Sequence, residues 1–396
     1  MAGRGRASKS SVTVVCLLLA SLTACGGPSA ADTAKAGVQR VLDRRAAAVL
    51  HHDPAAYAAT GTRAPYARLR AVPLTDWSYR LKSLRRSGDT AVARAELRYR
   101  VTGYDKAPVT AGRTLTLSTG ADGKWYVDSD RPEKKSAEQL WDQGTVSVVH
   151  GRSSLVLGVG HGDAVLRGYA GLADRAIPAV SDAWGTDWSR HVVLLVPKSL
   201  EGMAGLLGSP ASDYRGIAAV TTGETGGAGR APADRIIVNP AAYGILGSLG
   251  KQVVLTHETT HVATRAHTNA ATPLWLSEGY ADWVGYRGTG RSPDQVAPEL
   301  RRAVTDGEVP AALPSDEDFG FAGDPARLAR AYESGWMACR MIADQWGERR
   351  LDDFYRSAGA HGTREGAVED ALRKVLGTTL DRFTEQWRAY LGRQLG

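Results

Sequence analysis

"LTHETTHVATRAHTNAATPLWLSEGYADWV" (residues 255–284) sets two histidines and a glutamate within five positions, His257, Glu258 and His261. With the preceding "LGKQVVL" it reads as a helix over 248–265. Helical positions four apart project from one face a turn apart, so both imidazoles point the same way. Glu258 is rotated about 100° round the axis from His257. Farther on, Pro273 behind Thr272 predicts a second helix start with Thr272 as its cap. Glu278 and Asp282, again four apart, then share a face of that helix.

Two imidazoles at this spacing can bind one zinc ion through ring nitrogens, and Glu258 can reach a water on the metal without being a ligand. A catalytic zinc site needs a third protein ligand and an open position. His267, six residues after His261, has the metzincin spacing, but Thr264 fills the position where that pattern has glycine. A β-branched residue resists the sharp turn needed there. With His267 as a fourth ligand the site would instead be closed and structural. Glu278, 17 residues after His261, is the other candidate. Asp282 could then accept a hydrogen bond from the second ring nitrogen of His257, fixing the tautomer and raising the ligand's basicity.

"HETTH" followed by "WLSEGYADW" resembles the gluzincin metallopeptidases, the thermolysin-like clan, and most closely the exported bacterial peptidases called MA-like. The likeness covers roughly 145–396. It implies a zinc peptidase domain with a mixed sheet, an active-site helix to about 265 and a helical part to 396. It implies His257, His261 and Glu278 as Zn2+ ligands, Glu258 as the general base that activates the zinc-bound water, and Asp282 as the hydrogen-bond partner of a ligand. Tyr332, in "RAYESGWMACRMIADQWG" (330–347), lies 54 residues after Glu278, where some gluzincins place a tyrosine that stabilises the tetrahedral intermediate. The bare spacing equally suits a tyrosine packed with Trp336 and Cys339. Gluzincins bind extended peptide along an edge strand, and "DRIIVNP" (234–240), ending in proline, is read as that edge. No G-x-M-E-N motif occurs, which favours an endopeptidase over an exopeptidase.

The rest of the chain predicts an α+β protein in two parts. Arg4, Arg6 and Lys9 precede the apolar run "VTVVCLLLASLTA", too short to span a bilayer, and then Cys25. This resembles a bacterial lipoprotein signal peptide over 1–24, with Cys25 lipidated and 25–33 a tether. The expected location is the outer face of the cytoplasmic membrane, and the arginine, alanine and glycine bias points to a high-GC bacterium. Residues 34–60 have helical periodicity, and 77–81, 95–101, 114–118 and 124–128 alternate apolar and polar. A helix followed by an antiparallel meander over 34–130 is similar to the SnoaL-like fold, read here as a spacer or partner-binding unit. "SDRPEKKSAEQ" (129–139) is taken as the boundary.

The net charge of +7 falls to +4 once the three basic residues of 1–24 are removed. That scattered balance excludes a nucleic-acid partner and suits an anionic envelope. Of three cysteines only Cys339 remains after the signal and Cys25, so no intramolecular disulfide is expected. The expected partners are a peptide or protein substrate and the membrane, for a monomer. A catalytically silent peptidase-fold lipoprotein acting as a scaffold is the competing expectation. "TTGETGGAGR" (221–230) lacks a phosphate-loop pattern and is read as a loop.

Overall fold

A computed structural model describes residues 30–222, 232–320 and 324–396. The stretch read as a signal peptide (1–24), Cys25 and residues 26–29 lie outside the described residues, as does most of the glycine-rich stretch, whereas residues 30–33 of the expected tether already belong to the first helix. The architecture is α+β, as expected. Helix α1 (Ala30–Leu50) ends before Pro54, where Asp53 caps a new short helix through the backbone N–H groups of Ala55 and Ala56. The single helix expected over 34–60 is therefore broken, because proline cannot supply an interior N–H.

Strands β1 (Leu74–Ser87), β2 (Thr90–Val101), β3 (Val109–Thr119) and β4 (Trp125–Pro132) form an antiparallel sheet in chain order. Along β2 the residues alternate buried and exposed, from Ala91 inward to Arg94 and Arg98 outward. Val38, Val41 and Leu42 of α1 close the inner face with no exposure.

The second sheet contains β5 (Val146–His150), β6 (Ser154–Val159), β7 (Val192–Val196), β8 (Ala219–Thr222) and β9 (Arg235–Val238) in the order β5-β6-β7-β9-β8. β6, β7 and β9 run parallel, and β8 is antiparallel to β9. The edge strands are thus β5 and β8, with β9 interior, and the expectation that 234–240 forms an edge is corrected. β9 is buried on both sides, as its continuous "IIV" run fits. Thr221 and Thr222, read as the start of a loop, belong to β8.

One face of this sheet is covered by α2 (Asp163–Trp184) and α3 (Ser248–Thr264), with Leu166, Ala173, Ile236 and Leu255 in the shared core. The other face continues into the meander, since Leu155, Leu157, Val193 and Ile237 join Trp77, Tyr99 and Trp141 in one apolar cluster. The expected boundary at 129–139 is therefore no free linker: 129–132 complete β4, and Glu138 donates its N–H to Gly205. Arg113, 3% exposed, ties the two parts by pairing with Asp130 at 2.7 Å and Asp142 at 2.8 Å. Removing one partner of such a buried pair costs about 3–5 kcal/mol.

Beyond α3 the chain is helical: α4 (Leu274–Tyr286), α5 (Pro298–Thr305), α6 (Pro325–Trp346), α7 (Glu348–Gly359) and α8 (Leu380–Leu395). Phe383, Trp387 and Leu391 of α8 and the free Cys339 of α6 are fully buried, whereas Leu380, which shares the helical spacing of the first three and would be expected to pack with them, is 38% exposed. Thr272 does not cap α4. The first N–H, from Leu274, donates instead to Asp316 Oδ1 at 2.9 Å, a partner 42 residues away that local pattern cannot reveal.

Candidate metal centre

Three helices bring the predicted residues together. α3 carries His257, Glu258 and His261; α4 carries Glu278 and Asp282; α6 carries Tyr332. Their close approach has a steric cause. A Cβ on Gly279 of α4 would stand 2.3 Å from the carbonyl carbon and oxygen of Gly335 on α6. A Cβ on Gly285 would meet the Val253 carbonyl oxygen of α3 at 3.2 Å. Glycine at these contacts lets α4 lie between its neighbours at backbone distance.

Three donor atoms converge. His257 Nε2 is 3.1 Å from His261 Nε2 and 3.2 Å from Glu278 Oε2, and His261 Nε2 is 3.4 Å from the same oxygen. Four tetrahedral ligands at zinc's bond lengths of about 2.0–2.2 Å are separated by about 3.3–3.6 Å, so this triangle fits that ion closely. Among the described residues these three form the one such cluster. His257 Nδ1 lies 2.8 Å from Asp282 Oδ1. With that nitrogen donating to Asp282, the neutral ring turns the lone pair of Nε2 toward the cluster. With both lone pairs turned inward, two imidazole nitrogens at 3.1 Å repel unless a proton or a cation sits between them.

The electrostatics agree with the geometry. Burial opposes charge on His257, yet Asp282 and the bond to Glu278 push its pKa well above the usual imidazole value. Burial likewise opposes ionisation of Glu278, but His261 and His257 hold its carboxyl well below the usual carboxylate range. The cluster is thus built to hold positive charge.

Glu258, buried, stands on a different side of the helix, as the 100° rotation requires. The Thr221 hydroxyl lies 2.6 Å from Glu258 Oε2, and also 3.0 Å from the Glu258 backbone carbonyl. This contact ties edge strand β8 to α3 and fixes the carboxylate. The sequence reading missed it because Thr221 was placed in a loop; two β-branched threonines extending "IAAV" were the available signal. Arg265, at the end of α3, pairs with buried Asp234 at 2.9 Å and holds that end of the helix to the sheet.

Tyr332 packs its ring 6.4 Å from the His257 ring and 5.2 Å from Phe319. Burial first, then the carboxylates of Glu278, Asp282 and Glu258, raise its phenol well above the ordinary value, so it stays a neutral O–H donor. Beside these groups opens a cleft of about 710 Å³. Ile217, Val253, Val254 and Leu328 give it apolar walls, and His257, Glu258, Asp282 and Tyr332 its polar end.

His267 stands apart. Its Nε2 accepts from Arg356 Nη1 at 2.8 Å, and its ring packs edge-on to Trp184 at 5.6 Å. It is half-buried in a structural contact, outside the donor cluster, which corrects the alternative that made it a zinc ligand. Compared with known proteins, the chain matches no family model and no curated protein.

Proposed function

We propose that this chain is a zinc-dependent hydrolase of peptide bonds, an endopeptidase of gluzincin type, exported and held at the membrane by lipid on Cys25. One observation carries the reading: two imidazole nitrogens and a carboxylate oxygen meet within 3.1–3.4 Å of one another, while a separate buried carboxylate, Glu258, lines the cleft that His257 also lines. His257, His261 and Glu278 would hold the ion. When bound, it would acidify a water molecule and polarise the scissile carbonyl.

The protein's own groups do the rest. Glu258 takes the proton of the attacking water and returns it to the leaving nitrogen. Thr221, donating to one oxygen of Glu258, leaves the other free for that transfer. Asp282 holds the His257 ring. Tyr332 donates toward the negative oxygen that develops in the tetrahedral state, a contribution typically worth about 2.7–4 kcal/mol. An extended peptide adds to the free edge of β8 and sets an apolar side chain between Ile217, Val254 and Leu328. A scaffold needs the fold but has no use for Glu258.

The experiment is a proteome-derived peptide library incubated with wild type and with Glu258→Gln, with zinc content measured on both. The proposal predicts cleavage by wild type, enriched at apolar residues, and none by the variant, with equal zinc. Identical treatment of the library by both proteins would support the scaffold instead.

A further inference from the structure

The charge of this protein is divided between its two parts. Residues 30–132 carry 18 Lys/Arg against 10 Asp/Glu, whereas residues 133–396 carry 28 against 32. A balance of +8 on the meander faces one of −4 on the remainder, so the basic excess that looks scattered along the sequence is concentrated on one unit.

The meander places much of it on one surface. Its inner face is filled by α1, and its outer face is covered by no other described element. Arg80 and Lys82 on β1 and Arg94 and Arg98 on β2 are all exposed there, and Arg85 projects near the β1–β2 turn. The register sets Arg80 opposite Glu96, Ser78 opposite Arg98 and Ser83 opposite Arg94, which keeps the cations on neighbouring rungs. Glu96 and Glu133 offset part of the charge, through Lys82 at 2.8 Å and Arg94 respectively. Arg80, Arg85 and Arg98 form no ion pair among the described residues. Val92, opposite Arg85 and 46% exposed, adds an apolar side chain to the same face. A sheet does not leave such cations and a valine on one open face for the sake of folding: like charges this close repel.

We propose that this outer face docks on a bilayer surface of anionic phospholipid. One feature favours a membrane over a soluble polyanion. Val92 can enter the interfacial zone while the arginines meet phosphate groups, and an apolar side chain gains nothing against a hydrated polymer. The inference stands apart from the peptidase reading and from lipidation of Cys25, and its test uses neither.

The test is cosedimentation of residues 30–396, which hold every described element, with two kinds of vesicle. One kind is phosphatidylcholine alone; the other is equal parts phosphatidylcholine and phosphatidylglycerol. Each basic side chain near an anionic surface contributes about five-fold to partitioning, screened by salt. The protein is expected on the anionic vesicles alone and released by added salt. Neutralising Arg80, Arg85, Arg94 and Arg98 to Gln should weaken binding on the order of tenfold or more. Neutralising Arg291, Arg301, Arg349 and Arg388, exposed on the helical part, should leave it unchanged. Equal partition to both vesicles, equal loss in both variants, or tighter retention by a duplex DNA fragment at the same salt would overturn the proposal.

Discussion

At the scale of single residues, the account depends on how Glu258 is held. Thr221 is the only described side chain whose hydroxyl reaches its carboxylate, at 2.6 Å. Thr221→Val keeps the shape of the strand and removes the donor. The expected result is a fall in kcat with little change in KM or zinc content, and recovery in Thr221→Ser. Steady-state kinetics with a cleaved peptide checks it, and a change confined to KM would contradict a positioning role. His257, Glu258, His261, Glu278 and Asp282 were legible from spacing because a helix turns a four-residue interval into one face. Thr221 and the Arg356–His267 contact were not, because each joins residues far apart in sequence through a strand or helix whose neighbour is set by the whole fold.

At the scale of elements, the approach of α4 to α6 decides the site. A methyl group at Gly279 would occupy the space of the Gly335 backbone, so α4 must move. α4 carries Glu278 and α6 carries Tyr332, and Gly279→Ala should therefore weaken zinc binding as well as stability. Overpacking of this kind costs about 1–3 kcal/mol. Denaturant unfolding with a competitive zinc titration measures both, and unchanged zinc affinity would show the contact to be incidental. A second device joins α6 to α5. Glu333 of α6 accepts hydrogen bonds from the backbone N–H groups of Glu299 and Leu300 at the start of α5. Burial, set against those two bonds, raises its pKa from 4.5 to about 7. The folded state then keeps a proton that the unfolded chain loses. Stability from this group is complete below pH 4.5 and is lost as the pH rises toward about 7. Glu333→Gln should abolish that decline and become the more stable protein above it, read as unfolding free energy against pH. Parallel curves for the two proteins would contradict this assignment.

At the scale of the whole molecule, the α+β class and the N-terminal meander are legible in hydrophobic period, whereas the mixed sheet was legible only through the likeness to a known family. The order of strands was legible in neither. β8 and β9 both read as short apolar runs, and only tertiary pairing with β7 makes β9 interior and β8 an edge. The division into parts was also misread, because a polar, proline-bearing stretch looks like a linker whether or not it completes a strand. The two sheets share an apolar cluster and the Arg113 ion pairs, so the meander is a fixed part of the body that carries the cleft. The central claim concerns what that body holds. Zinc stoichiometry and X-ray absorption at the zinc edge, on the full chain and its variants, test it most directly. The account predicts a single zinc with two imidazole nitrogens and a carboxylate oxygen, lost in His257→Ala and unaltered in His267→Ala. Zinc absent from wild type, or displaced by the change at His267, would contradict it.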